Sequence, residues 1–336
     1  MNNYSFFYSK IIIGDKMQSL FEKLNKIIEE YDSFVIMGHK DPDLDSLGSS
    51  LGLCEIIESF NKKAYLFLDY KHLEEYNSNI NQAFNKIEET IKCVDKSSYK
   101  KVTGKTLLII TDVHTQDRLE YPDLCDLFDT LVLDHHIKNK NYIKNTKFLY
   151  LDSNLSSMSE LVTYYASYMN INLDNVISTI LLAGIEIDTN SFNLKTTSKT
   201  YEAASILMDM GADSILKQEL LKETKEEYIK RASFIKNSFM INSNMAMCII
   251  SGITTSKTLA EVAEEMLNFD EVEVSFTIGK IDSREIGISA RSLGMIDVSS
   301  IMKKMGGGGH SSNAAAQIKD KTLKEVKQNL IDIIEN

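Results

Sequence analysis

Three short runs in this chain, SFVIMG, TLLIIT and TLVL, are almost continuously apolar, and each is followed at once by acidic or imidazole side chains: GHKDPDLD, TDVH and LDHH. A strand with one wet face alternates apolar and polar residues. A run without alternation fits a strand buried on both faces, as in a parallel sheet covered by helices. Open parallel sheets bind ligands at the carboxyl ends of their strands. His39, Asp112 and Asp134 each stand just past such a run, so three strand ends can deliver polar groups to one crevice. Residues 64–69 (AYLFLD) read as a further strand of this sheet.

Five of the six histidines fall within carboxylate-rich or glycine-rich motifs, and only His72 lies outside one. Histidine with aspartate makes a site for intermediate to hard divalent metals, and paired metals hydrolyse phosphate esters. The formal charge of −11 argues against a long nucleic-acid track, which needs many cations to displace counterions. It leaves a small nucleotide open, because bound metals supply local positive charge. The four cysteines, Cys54, Cys93, Cys125 and Cys248, form no CxxC pair and read as thiols of a reducing cytosol. No apolar run approaches the ~20 residues of a membrane span, and the segment 5–13 lacks the features of a signal peptide. The expected location is cytoplasmic.

Apolar side chains at helical spacing over residues 17–31 predict a first helix, and Asp45 or Ser46 is placed to cap a second that runs to about Phe60. Residues 156–221 are helical in pattern. The charged stretch 217–232 reads as a connecting helix. From about residue 241 the pattern changes: AMCIISGI, VEVSFTIG and EIGISARS predict strands, with a helix near 257–268, a short helix from about Ser311 and a last one near 322–335. The expected architecture is α/β, an N-terminal parallel-sheet domain over residues 1–215 with flanking helices. A connecting helix over 216–239 links it to a smaller α+β domain over 240–336.

The motifs carry the chemistry unequally. GHKDPDLDS offers His39, Asp43 and Asp45 within seven residues, either to a metal or as a helix-capping loop. Pro42 biases Asp41 to an extended shape. In LDHH, Asp134 is placed to orient His135 through its ring N–H. GIEIDT ends an apolar helix with Asp188, a ligand or a cap, while Glu186 points elsewhere on that helix. MGGGGHSSNAA is a glycine run, Gly306, Gly307, Gly308 and Gly309, followed by His310 and Asn313. Feeding a helix N-terminus, it would cradle an anion. SARS brings Arg291, a bidentate phosphate donor, to a strand end.

In this order, GHKDPDLDS, TDVH, LDHH, GIEIDT and GGGGHSSNAA resemble the DHH phosphoesterase superfamily with its associated C-terminal substrate domain, over about residues 20–336. SARS, VEVSFTIGK and the four-glycine form of the last motif are similar to the catalytic module of GdpP-type cyclic-di-AMP phosphodiesterases. The resemblance implies two Mn²⁺ ions, with Mg²⁺, Co²⁺ or Fe²⁺ as substitutes. His39, Asp43 and Asp112 would hold one; Asp45, Asp112, His135 and Asp188 the other, with Asp112 as bridge. It implies that His136 contacts the scissile phosphate and that Arg291, the glycines 306–309, His310 and Asn313 hold the substrate. It also implies a homodimer. Members of that branch carry membrane and sensory segments ahead of this module, and none is present in this sequence. The residues after SARS, around Asp297, depart from the branch pattern and bear on fine specificity.

The activity expected from this resemblance is hydrolysis of cyclic di-AMP to linear pApA, and possible further cleavage to AMP. Linear substrates at the same centre are the alternative: pApA, short oligonucleotides or 3′-phosphoadenosine 5′-phosphate. A pyrophosphatase fits less well, because the last motif suits a nucleotide better than a dense cationic clamp. A non-catalytic nucleotide sensor is the reading from another class, and it would be expected to have lost a ligand, whereas all six ligand positions are filled.

Overall fold

The computed structural model describes residues 14–73, 76–87 and 90–335, and the segment 5–13 lies outside them. The chain divides into two compact units with the boundary between Lys222 and Glu223.

The first unit is built on a six-stranded, all-parallel sheet. Its strands are β1 (Ser33–Met37), β2 (Lys63–Phe67), β3 (Cys93–Val94), β4 (Thr106–Thr111), β5 (Asp129–Asp134) and β6 (Phe148–Leu151), in spatial order β3-β2-β1-β4-β5-β6. The period-2 geometry of a strand sends neighbours to opposite faces. Phe34, Ile36, Leu107, Ile109, Leu131 and Leu133 accordingly enter one core, and Val35, Met37, Leu108, Ile110 and Val132 another. Both cores are apolar, so the central strands read as unbroken hydrophobic runs, as the sequence predicts. The larger core is covered by α1 (Asp15–Glu29), α2 (Leu44–Ser59), α3 (Ser78–Asn85), α5 (Met158–Tyr168), α6 (Asn175–Asp188), α7 (Ser198–Asp209) and α8 (Ser214–Leu220). The short α4 (Leu124–Leu127) lies on the other face.

The chain winds outward from β1 through β2 to β3, then returns to lay β4 on the other side of β1. Such a reversal opens a crevice at the carboxyl ends of the two central strands. Register fixes which residues arrive there: Met37 pairs with Ile110 and Thr111 with Leu133, so His39, Asp112 and His135 emerge side by side.

The second unit begins with α9 (Lys225–Ile235), capped by Thr224 and Glu227, whose side chains each bond the other's backbone N–H. The connecting helix expected over 216–239 is therefore not continuous. Leu220 ends α8, α9 starts at Lys225, and β7 (Phe239–Met240) occupies the last residues of that span. A mixed sheet follows, with β8 (Met245–Ile253), α10 (Ser256–Met266), β9 (Val274–Lys280), β10 (Glu285–Ser292), α11 (Val298–Lys304), β11 (Gly308–Gly309), β12 (Asn313–Lys319) and α12 (Leu323–Glu335). Its order is β11-β12-β10-β9-β8-β7, and only the β8–β9 pair is parallel. No helix starts at Ser311. Asn313–Lys319 is a strand that buries Ala314 and Ala316 and exposes Ala315 and Gln317, and pairing with β10 overrides the helical preference of its alanines. Among the described residues, no helix is long and apolar enough to cross a membrane.

Candidate metal centre

The loop after β1 starts the site. Asp41 takes a left-handed φ of 53°, not the extended shape expected before Pro42; a short polar side chain tolerates this region. The cap of α2 is Asp43, not Asp45 or Ser46: its Oδ1 accepts from the backbone N–H groups of both, at 3.0 and 2.9 Å. Its Oδ2 stays available and lies 3.7 Å from His39 Nε2. His39 donates from Nδ1 to the Lys40 carbonyl (2.7 Å), so that once the ring is neutral its lone pair lies on Nε2, toward the cluster.

Asp112 follows β4 with φ of 64°, a backbone conformation that persists in a non-glycine residue only when its surroundings enforce it. Its N–H still bonds the Leu133 carbonyl of β5 at 2.9 Å. One carboxylate oxygen, Oδ2, lies 3.4 Å from His39 Nε2, and the other, Oδ1, 3.2 Å from His135 Nε2. His135 Nε2 also lies 3.0 Å from Asp188 Oδ2 and 3.9 Å from Asp45 Oδ2. Among the described residues three groups could hold a metal ion: His39/Asp43/Asp112, Asp45/His135/Asp188, and Asp112/Asp134/His135/His136, and the two oxygens of Asp112 face His39 and His135.

Helix ends set the second group. Asp45, fully buried, receives the first amides of α5, from Met158 to Oδ2 (2.8 Å) and from Ser159 to Oδ1 (2.7 Å). Asp188 is the last residue of α6. The helices α2 and α6 can bring these carboxylates together because Gly184 has no side chain: a Cβ there would lie 2.8 Å from Asp45 Cα and 2.9 Å from the Leu44 carbonyl oxygen. Glu186 faces away, paired with Lys217.

Burial and the crowding of carboxylates set the charge balance of the cluster. Burial, with Asp188 and Asp112 nearby, pushes the Asp45 carboxyl up, and burial also raises Asp188. Burial opposes a charge on His39, yet Asp112 and Asp43 carry it up to about 11; Asp112 and Asp188 raise His135 in the same way. Asp112 is held well below the usual carboxylate range by His135 and His39 despite its burial. Protons are thus retained wherever the carboxylates crowd, as in a site built around positive charge. Asp112 Oδ1 and both ring nitrogens of His135 are buried without a hydrogen-bond partner, which is expensive unless another group coordinates them. The donor set, imidazole and carboxylate, suits a divalent transition ion.

Asp134 does not orient His135. Its Oδ1 accepts from the N–H of His136 (2.9 Å) and pairs with His136 Nδ1 (2.7 Å), while Oδ2 pairs with His114 Nδ1. Side chains of successive strand residues point to opposite faces, so adjacency in sequence does not bring Asp134 to His135. Burial opposes its charge, but His114 and His136 hold Asp134 well below the usual carboxylate range. His136 keeps about a third of its side chain exposed beside His135, with ring centroids 4.4 Å apart.

In the second unit Arg291 and Asn313 are register partners on β10 and β12. Arg291 Nη1 donates to Ser289 Oγ and the Ala290 carbonyl, its Nε lies 3.8 Å from Glu264 Oε2, and the Asn313 Oδ1 is buried without a hydrogen bond. The glycine run does not feed a helix. Gly308 and Gly309 form the edge strand β11, and the His310 N–H closes the turn into β12 on the Asn313 carbonyl (2.7 Å). Gly306 and Gly309 have φ of 84° and 139°, and a Cβ on Gly307 would lie 2.1 Å from the Ala315 carbonyl oxygen. Gly308 has no such restraint, and a Cβ there would meet nothing within 4 Å.

The chain carries a DHH domain followed by a DHHA1 domain. Residues 33–185 match the DHH family, N-terminal domain, and residues 242–336 match the DHHA1 domain. The cyclic-di-AMP phosphodiesterase GdpP of Geobacillus thermodenitrificans is 36% identical over 93% of this chain and 48% of its own length. This chain therefore spans about half the length of that relative. The bifunctional oligoribonuclease and PAP phosphatase NrnA of Mycoplasma genitalium is 28% identical over 91% of this chain and 94% of its own. Among solved structures, an exopolyphosphatase-related protein from Bacteroides fragilis shares the fold, with a TM-score of 0.77 at 18% identity, covering 95% of this chain and 96% of that one.

Proposed function

We propose that this chain is a Mn²⁺-dependent phosphodiesterase that opens cyclic di-AMP to linear pApA. The observation that carries the reading is Asp112: one strained, buried carboxylate with its two oxygens turned to two separate histidine–aspartate groups. His39, Asp43 and Asp112 would hold one ion, and Asp45, Asp112, His135 and Asp188 the other. Bound there, divalent cations lower the pKa of water and neutralise charge that builds on phosphoryl oxygens.

The protein's own groups do the rest. His39 keeps its Nε2 lone pair toward the cluster through the Lys40 carbonyl, and the α5 amides hold the Asp45 oxygens in place. His136, fixed through Nδ1 by Asp134, offers Nε2 to the scissile phosphate or its leaving oxygen. In the second domain Arg291, whose Nε lies 3.8 Å from Glu264 Oε2, and Asn313, whose Oδ1 has no hydrogen-bond partner, would bind the substrate together with Gly306–Gly309 and His310.

The GdpP relative favours the cyclic substrate. A second reading, hydrolysis of linear nucleotides, is favoured by the NrnA relative, which this chain spans almost from end to end. A Mn²⁺-dependent time course on cyclic di-AMP, with pApA in parallel and products separated by chromatography, tests both. Accumulation of pApA from the cyclic substrate is expected. Rapid cleavage of pApA with cyclic di-AMP untouched would replace the first reading by the second.

A further inference from the structure

Behind the partly exposed His136 lies a buried histidine, His114, that the reaction does not touch. His114 Nδ1 pairs with Asp134 Oδ2, and His114 Nε2 sits 2.8 Å from the backbone nitrogen of Asn139. Hydrogen-bond chemistry assigns every atom of this chain. A backbone amide can only donate, so His114 Nε2 must accept. A neutral imidazole carries one N–H, so the proton of His114 resides on Nδ1 and is donated to Asp134. Asp134 then has Oδ2 engaged by His114, and Oδ1 engaged by the His136 backbone N–H and by His136 Nδ1. An acceptor-only carboxylate requires Nδ1 of His136 to be the protonated nitrogen, which leaves Nε2 as the atom open to substrate.

We propose that His114 is a positioning residue, which acts through Asp134 to fix the rotation and tautomer of His136. The proposal rests on the phosphodiesterase reading for its effect on turnover, though not for the tautomer itself. The competing explanation is a loop anchor. The segment after β5 is tied to His114 twice, by the Asn139 N–H on Nε2 and by the Ile143 N–H on its carbonyl (2.8 Å). A histidine kept only for that tie would need Nε2 and not Nδ1.

The two nitrogens can be tested separately. In His114→Asn the amide nitrogen takes the place of Nδ1 and keeps the donor to Asp134. In His114→Gln the amide reaches the Nε2 position and keeps the acceptor for Asn139. With Mn²⁺ and cyclic di-AMP, His114→Asn is expected to keep kcat within about fivefold and His114→Gln to lose about 10- to 100-fold, with Mn²⁺ affinity alike in both. The reverse order, or equal activity, would overturn the proposal in favour of the loop anchor. A readout independent of turnover is the long-range ¹H–¹⁵N spectrum of the wild-type chain labelled at its six histidines, recorded with Mg²⁺. His114 is expected as the Nδ1–H tautomer, and an Nε2–H form would sink the proposal. Absence of any nucleotide turnover in the wild type would count against the phosphodiesterase reading, and the spectrum would still decide the tautomer.

Discussion

Replacing Gly184 by alanine tests whether the crossing of α2 and α6 sets the metal centre. The added Cβ would lie 2.6 Å from Ser159 Oγ, 2.8 Å from Asp45 Cα and 2.9 Å from the Leu44 carbonyl oxygen. The serine hydroxyl can rotate, but two of these contacts are backbone. Ordinary contact begins near 3.4 Å, so the helices must part by about 0.5 Å at the residue that carries Asp45. Overpacking of this kind costs about 1–3 kcal/mol, and the better helix propensity of alanine returns about 1 kcal/mol. The net loss of stability is therefore modest, about 0–2 kcal/mol, while Asp45 moves relative to Asp188 and His135. The Asp45/His135/Asp188 group should lose on the order of 10- to 100-fold in Mn²⁺ affinity, with His39/Asp43/Asp112 less affected. Urea unfolding gives the first quantity and calorimetric Mn²⁺ titration the second. Two equal, unweakened Mn²⁺ sites at wild-type stability would refute the reasoning.

Asp112→Asn keeps a side chain that tolerates φ of 64° but removes the bridging charge, so kcat should fall by on the order of 10²–10³-fold or more with the circular dichroism spectrum unchanged. Retained Mn²⁺-dependent activity would sink the bridging role. Because His39 is raised to about 11 and Asp45 is raised too, a cation must displace their protons. Mn²⁺ affinity should thus increase with pH from the acid side toward that value, and calorimetry in buffers of different ionisation enthalpy should show proton release; buffer-independent heats would contradict this. Gly307→Ala, which drives a Cβ to 2.1 Å from the Ala315 carbonyl, should destabilise the second unit by about 1–3 kcal/mol, whereas Gly308→Ala should leave thermal stability intact and raise KM. A stable Gly307→Ala variant would remove the steric account of that strand.

The centre was legible where one local rule sufficed. Continuous apolar runs placed β1, β4 and β5, with His39, Asp112 and Asp134 at or just past their carboxyl ends, whereas His135 entered as a ligand only through the family resemblance. What escaped depends on contacts between distant segments. Asp134 meets His114, twenty residues earlier, because β4 and β5 are neighbours, and nothing in LDHH states this. Asp43 caps α2 because of the loop's backbone, which the acidic composition of DPDLD leaves undetermined. The alanines of β12 mimic a helix, and only the inward alternation of Ala314, Ala316 and Ile318 betrays the strand. The single break between α8 and α9 was masked by one charged, helix-favouring stretch, though Thr224 and Glu227 spell a capping box.

The proposed chemistry requires two ions that share Asp112. Electron paramagnetic resonance of the chain loaded with Mn²⁺, alongside its bound-metal stoichiometry, tests this most directly. Two Mn²⁺ per chain with the spectrum of a spin-coupled pair, lost in Asp112→Asn, is the predicted result. A single uncoupled Mn²⁺, or a pair that stays coupled without the Asp112 carboxylate, would contradict it.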